Sequence, residues 1–166
     1  SREFYCDVIM DEASKMNQMV KNLLTLNQLE FGDEDIVFDR FNLTALVRGV
    51  LQSMEIMADQ AGAKILLHTE EDIYAWADEF KVEQVVKNYV SNACHHVSGD
   101  MVIEVKMVQK DGKVRVSVFN TGTPIPEADI AHIWDKFYKV DKAHTREYGG
   151  NGIGLSIVKA IMKSFH

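Results

Sequence analysis

This chain has few of the groups that cross-link or bind metal through sulfur. Its 166 residues include two cysteines, Cys6 and Cys94, far apart, with neither a Cys-x-x-Cys pair nor the Cys/His spacing of a zinc site. A disulfide framework and a zinc module are thereby excluded, and the pair reads as two free thiols in a reducing compartment. Proline is equally scarce: Pro124 and Pro126 fall in one loop, whose exit they stiffen. Positive charge is in deficit, the net charge being −7. That argues against nucleic acid or an anionic membrane as the main partner, and any phosphate site must be made by local cationic groups. No apolar run reaches the length of a membrane span, and no signal peptide or repeat is present. No membrane contact is expected of this stretch of chain.

A hydrophobic content of 46% predicts one domain with a real core and at most an appendage. Residues 2–31 read as one long helix. Ile9, Met16, Met19, Leu23 and Leu26 fall at heptad a/d spacing, and Val20 and Leu24 widen the stripe. Gly32 ends it, and Asp33-Glu34-Asp35 reads as a linker. A stripe this regular belongs to a coiled coil or helical bundle; packing on the chain's own globular part is the alternative. The helical pattern is under way from the first residues, so the chain reads as excised from something longer.

Ile36–Phe41 is predicted as a strand. Asn42 caps a helix whose apolar face is Leu43, Leu46, Val47, Val50, Met54, Met57 and Ala61, with Gly62 as its stop. Lys64–Thr69 and Ile73–Ala77 read as strands, and Asp78 caps a helix over 79–97. Residues 101–109 and 113–120 form a hairpin about Lys110-Asp111-Gly112. A loop follows, then a short helix over 130–137 and a polar stretch from Lys139 to Tyr148. The order is mixed α+β.

Three constellations carry chemistry. Tyr148 to Lys159 packs glycines into Gly149-Gly150-Asn151-Gly152-Ile153-Gly154 and runs into the apolar stripe Gly154, Ile157, Val158, Ile161, Phe165. Glycine admits positive φ and close approach, and a helix N-terminus presents unpaired N–H groups to an anion. The spacing is neither the dinucleotide fingerprint nor a P-loop, so a flexible loop capped by a core helix remains the alternative. The helix at 79–97 buries Val82, Val85, Val86, Tyr89, Val90, Ala93 and Val97. It sets Asn88 and Asn92 side by side on its polar flank, with His95 and His96 one turn on. Asparagine offers a neutral oxygen to Mg²⁺ and amide donors to phosphate; a solvated helix edge would look the same. Finally, Val118 to Pro126 ends a strand in Asn120, follows it with Gly122, where something flat can lie against the backbone, and stiffens the exit with its two prolines.

In order, the chain shows Asn88-x-x-x-Asn92-Ala93, Asn120-x-Gly122-x-x-Ile125-Pro126, Ile133-Trp134-Asp135-Lys136-Phe137-Tyr138 and Gly150-x-Gly152-x-Gly154-Leu155. This resembles the N box, first glycine box, F box and second glycine box of the sensor histidine kinases of two-component systems. The first helix resembles the second helix of their dimerisation hairpin, in Ile9-x-x-Glu12, Leu23-Leu24-x-Leu26 and Leu29-Glu30-x-Gly32. The resemblance implies a two-layer α/β sandwich with a mixed sheet, the histidine-kinase/gyrase-type ATP-binding fold, preceded by one long bundle helix. Residues 1–32 would be the hairpin helix and 33–166 the catalytic domain, its closing strands lying beyond His166.

The resemblance further implies ATP and Mg²⁺ as cofactors. Asn88 would hold the metal and Asn92 the phosphates, while Asn120 would accept from the adenine amino group and Gly122 and Ile125 line the base. Tyr138, Lys139, Gly150, Asn151, Gly152, Gly154 and Leu155 would approach the phosphates at a surface between the Asn88/Asn92 helix and Gly150–Leu155. Residues 139–148 would be a lid, with Lys139, Lys142 and Arg146 as its cations. Asn88 and Lys139 would be the catalytic pair. Three departures stand out: Asn120 replaces an aspartate, His95 and His96 replace a common lysine and aromatic, and Lys139 replaces an arginine, a point charge for a fork. The phosphoacceptor histidine is missing too, since no histidine here is followed by an acidic residue and a proline; His68, His132, His144 and His166 read as surface or structural.

The implied activity is transfer of the ATP γ-phosphoryl group to a histidine outside the chain and on to a response-regulator aspartate. The implied partners are that regulator and a second copy, held through the first helix. The implied location is cytoplasmic, with a parent protein at the membrane. A gyrase-like ATPase is the alternative enzyme, but it would carry a glutamate where Asn88 stands, and an amide cannot take a proton from water near neutral pH. A nucleotide-sensing module without catalysis is the alternative from outside enzymes.

Overall fold

The computed structural model describes residues 2–32, 35–140 and 152–165. Its contacts divide into two compact units, Asp35–Pro126 with Phe165–His166, and Ser1–Glu34 with Glu127–Ser164.

The first unit holds β1 (Asp39–Asn42), α2 (Leu43–Ser53), α3 (Glu55–Ala61), β2 (Lys64–His68), β3 (Tyr74–Ala77), α4 (Glu79–His96), β4 (Val102–Lys110) and β5 (Lys113–Asn120). Strands β2, β4 and β5 form a mixed sheet, β2 parallel and β5 antiparallel to β4, while β1 and β3 pair antiparallel on their own. Ile103, Val105 and Met107 of β4 and the inward valines of β5 share one core with Val47 and Val50 of α2, Ala58 of α3 and Val86, Val90 and Ala93 of α4. This is the expected two-layer α+β arrangement: each helix stripe is covered by a sheet face.

The caps read from sequence are in place. Asn42 Oδ1 accepts from Ala45 N–H at 2.9 Å and Asp78 Oδ1 from Lys81 N–H at 3.2 Å; each satisfies a donor that a helix N-terminus leaves open. Asp111 and Gly112 take φ of 52° and 71°, as a two-residue type I′ turn requires.

Three expectations need correction. The strand predicted at Ile36–Phe41 begins only at Asp39. The single helix expected to run to Gly62 breaks at Met54 (φ −103°, ψ 4°) into α2 and α3. There the Ser53 hydroxyl donates back to the Val50 carbonyl at 2.7 Å, a local bond that competes with helix continuation. The break turns the second segment, so Ala58 is buried while Met57 is 37% exposed. The helix expected over 130–137 is instead α5 (Glu127–Ile130), followed by turns.

The second unit holds α1 (Arg2–Phe31), α5 and α6 (Gly154–Ser164). α1 packs against α6, and Leu26 is its buried residue beside the half-buried Met19, Leu23 and Leu29. α6 buries Ser156, Ile157, Val158 and Ile161. The two ends of α1 therefore differ: the C-terminal part of the stripe is covered within its own unit, while Ile9, Met10 and Met16 are exposed. Among the described residues no helix is long and apolar enough to cross a membrane.

Candidate functional site

Period-two alternation along β5 puts Val114, Val116, Val118 and Asn120 on the face turned towards the core. Asn120 is therefore the polar end of an apolar row, at the point where the layer opens. With Val118, Phe119, Gly122, Thr123, Pro124 and Ile125 it lines a cleft of about 300 Å³.

Its amide is tethered: Asn120 Nδ2 donates to the Thr121 carbonyl at 3.1 Å, leaving Oδ1 as the acceptor. Thr121 is itself held from several sides. Its N–H donates to the Val102 carbonyl at 2.9 Å, its Oγ1 accepts from Val102 N–H at 3.0 Å, and its carbonyl also accepts from Ser98 N–H at 2.9 Å. Sequence reading passed over Thr121; its only local sign was a β-branched hydroxyl at a strand end.

Gly122 has a more particular reason than the one the sequence suggested. Its φ is +147°, and a Cβ there would lie 2.8 Å from the His96 carbonyl oxygen and 3.0 Å from Ser98 Oγ. What approaches its backbone is the turn leaving α4. Any side chain at 122 would push that turn away from the end of β5.

On α4, Asn88 and Asn92 are both half-buried, as flank residues should be. Asn88 Nδ2 donates to the Gln84 carbonyl one turn back at 3.0 Å, so its Oδ1 is the atom left to bind elsewhere. His95 is held below the usual histidine pKa by burial, reinforced by His96, so near pH 7 it is neutral and supplies a hydrogen bond rather than a charge. Burial raises the Tyr89 and Cys94 pKa values, which makes Cys94 a poor nucleophile. No cluster of His, Cys, Asp or Glu able to hold a metal occurs among the described residues.

The other unit carries Tyr138, Lys139, Gly152, Gly154 and Leu155. Gly152 takes φ +71°, and a Cβ there would meet the Phe137 backbone at 2.9 Å and the Tyr138 carbonyl oxygen at 3.0 Å. Phe137 N–H donates to the Gly152 carbonyl at 3.0 Å, and Ser156 Oγ to the Trp134 carbonyl at 3.0 Å. The third and fourth sequence motifs are thus fastened to each other. Tyr138 Oη donates to Asp129, which raises its pKa, and its ring lies 5.4 Å from that of His132. Lys139 is half-buried. Gly154 opens α6 and Leu155 follows, half-buried. Lys142, Arg146, Gly150, Asn151 and the part of the expected lid beyond Val140 lie outside the described residues.

The sensor histidine kinase WalK of Bacillus subtilis is 29% identical over 161 residues, 95% of this chain but 26% of the relative, so the chain spans about a quarter of its length. A histidine kinase ThkA, solved in complex with the response regulator protein TrrA, superposes with a TM-score of 0.69 at 31% identity, over 81% of this chain and 40% of that one. Full-length ShkA, solved in complex with AMPPNP, shares the fold with a TM-score of 0.79 at 23% identity, over 96% of this chain and 33% of that one. Residues 77–166, which carry all four motifs, match the histidine kinase-, DNA gyrase B- and HSP90-like ATPase family, and the chain belongs to that family.

Proposed function

We propose that the chain is the ATP-binding catalytic region of a sensor histidine kinase, led by the second helix of its dimerisation hairpin. In the parent protein the γ-phosphoryl group of ATP would pass to a histidine outside this chain and then to a response-regulator aspartate. The observation that carries the reading is the cleft at the end of β5. A slot lined by Phe119, Pro124 and Ile125 beside polar groups that include the neutral acceptor Asn120 Oδ1 suits the flat face and the amino edge of adenine.

The donor set on α4 fits a hard cation only in company with a nucleotide. One amide oxygen, Asn88 Oδ1, is too little for Mg²⁺, which takes its remaining ligands from phosphate and water. When bound, the ion neutralises charge on the transferring phosphoryl group. Asn92 offers its amide to phosphate oxygens, and the amide groups opening α6 at Gly154 and Leu155 favour an anion. Lys139 brings a point charge to the transferred group, and Lys142 and Arg146 add the charge that an acidic chain otherwise lacks. Asn88, standing where a gyrase-like ATPase would need a carboxylate base, favours transfer over hydrolysis.

The complex of ThkA with TrrA supports a response regulator as the second partner. The exposed Ile9, Met16, Val20 and Leu24 support a two-fold bundle through α1. The names of the relatives support a sensor as the parent protein; a cytoplasmic place for this stretch, with the parent at the membrane, is part of the same proposal.

The test is incubation of the longer parent with γ-labelled ATP and Mg²⁺. Label on protein that is lost in acid and kept in alkali is expected; nucleotide binding without label would leave a sensing module. On this chain, Asn88→Ala should weaken Mg²⁺-ATP more than metal-free ADP by calorimetry. An equal loss would remove Asn88 from the metal.

A further inference from the structure

The residue at the acceptor position of the cleft is an amide, and an amide can present either face. With its oxygen turned into the cleft it accepts from an amino group; turned over, it donates to a keto group. Asparagine at 120 would on that account leave the site indifferent between amino and keto purines. The surroundings remove the choice. The atom 3.1 Å from the Thr121 carbonyl has to be the donor, because the reverse would set two acceptors against each other. The carbonyl cannot turn aside to relieve such a clash: it also accepts from Ser98 N–H at 2.9 Å, and Thr121 is pinned to Val102 through both its N–H and its Oγ1.

Resting on the nucleotide reading above, we propose that the Thr121 carbonyl is the positioning group that makes this cleft select an exocyclic amino group. It would hold the Asn120 amide in its accepting orientation, so that amino purine nucleotides are preferred over keto ones without a charged acceptor. The anchor reaches back through Ser98 to the turn that leaves α4, the same turn against which Gly122 is packed.

The test compares three Mg²⁺-loaded diphosphates on the full chain by calorimetry: ADP, purine riboside diphosphate, which lacks the amino group, and inosine diphosphate, which has a keto oxygen in its place. A held amide predicts that ADP binds about tenfold tighter than purine riboside diphosphate, the value of one neutral hydrogen bond, and that inosine diphosphate binds weakest, its oxygen facing another acceptor. Inosine diphosphate binding as well as purine riboside diphosphate, or better, would mean that the amide turns over, and would overturn the proposal while leaving the nucleotide site intact. In Asn120→Ala, the preference for ADP over inosine diphosphate should fall to within about twofold; a preference that persists places the selection elsewhere and also overturns it. Failure of all three to bind would overturn the nucleotide reading itself, and this inference with it.

Discussion

Two helices of this protein solve the same problem differently. α4 has 18 residues and buries Val85, Val86, Val90, Ala93 and Cys94; α1 has 30 and buries only Leu26. Both carry apolar stripes at helical spacing. α4 lies on a sheet face that covers its stripe along its whole length, so its fold is complete in itself and its polar flank is free to carry Asn88 and Asn92. α1 is covered near its C-terminal end by α6 and bare towards the other, with Ile9 66%, Met10 73% and Met16 67% exposed. Burying one such side chain contributes roughly 1.5–3 kcal/mol, so the bare half favours association. Their polar contacts differ as well. Asp78 caps α4 through Oδ1 and accepts from Val37 N–H through Oδ2 at 3.1 Å, whereas α1 carries exposed ion pairs within its own length, such as Lys15–Asp11, which are worth little.

The contrast can be broken at several points. The largest effect is expected from Val90→Asp on α4. Val90 is 0% exposed, and an unpaired charge there should cost about 4 kcal/mol or more, a large part of a domain's stability. Urea unfolding measures it. Ile9→Asp on α1 should leave the unfolding midpoint nearly unchanged and reduce self-association in sedimentation instead. A monomer at high concentration for the unmodified chain would show that the bare half has no second copy to meet.

Next in size is Leu26→Ala, expected to cost about 3 kcal/mol because Leu26 is 2% exposed; Leu24→Ala, at a position 58% exposed, should stay within about 0.5 kcal/mol. Equal losses would erase the distinction between the covered and bare faces of α1. Asp78→Ala comes third, at about 2 kcal/mol, from the lost cap and the Val37 N–H left without a partner; thermal melts of the variant measure it.

The smallest effect is in pH. His95 has its pKa lowered mainly by burial, so the folded state prefers the neutral ring. Its contribution is complete above the ordinary histidine value of about 6.5 and is lost as pH falls from there towards the lower folded value, where the unfolded chain takes up the proton first. The melting temperature of the unmodified chain should drop more steeply between pH 7 and 5 than that of His95→Gln. Identical slopes would show that His95 is solvated like an α1 residue.

Much of this protein was legible before any coordinates. Both capped helices, the Asp111-Gly112 hairpin and the stop at Gly62 rest on local rules: caps, periods and turn residues act over a few positions, so a single sequence contains them; the mixed sheet was implied by the resemblance alone. The candidate residues Asn88, Asn92, Asn120 and Gly122 were legible for the same reason, since residue type and spacing named them. The break at Met54 was not, because no glycine or proline marks it and a serine at 53 is as compatible with a continuing helix as with the bond it makes back to Val50. Nor was the shift of the helix after Pro126. The tertiary structure alone showed that Thr121 fixes the Asn120 amide, that Gly122 is constrained by the turn leaving α4, and that Gly152 makes room for the Phe137 backbone. Each of these depends on segments distant in the chain meeting within 3 Å or so, a distance at which one Cβ or one reversed dipole decides the arrangement. The stripe on α1 divides the two kinds of information. Its period was written in the sequence, and which half of it finds cover was decided by α6.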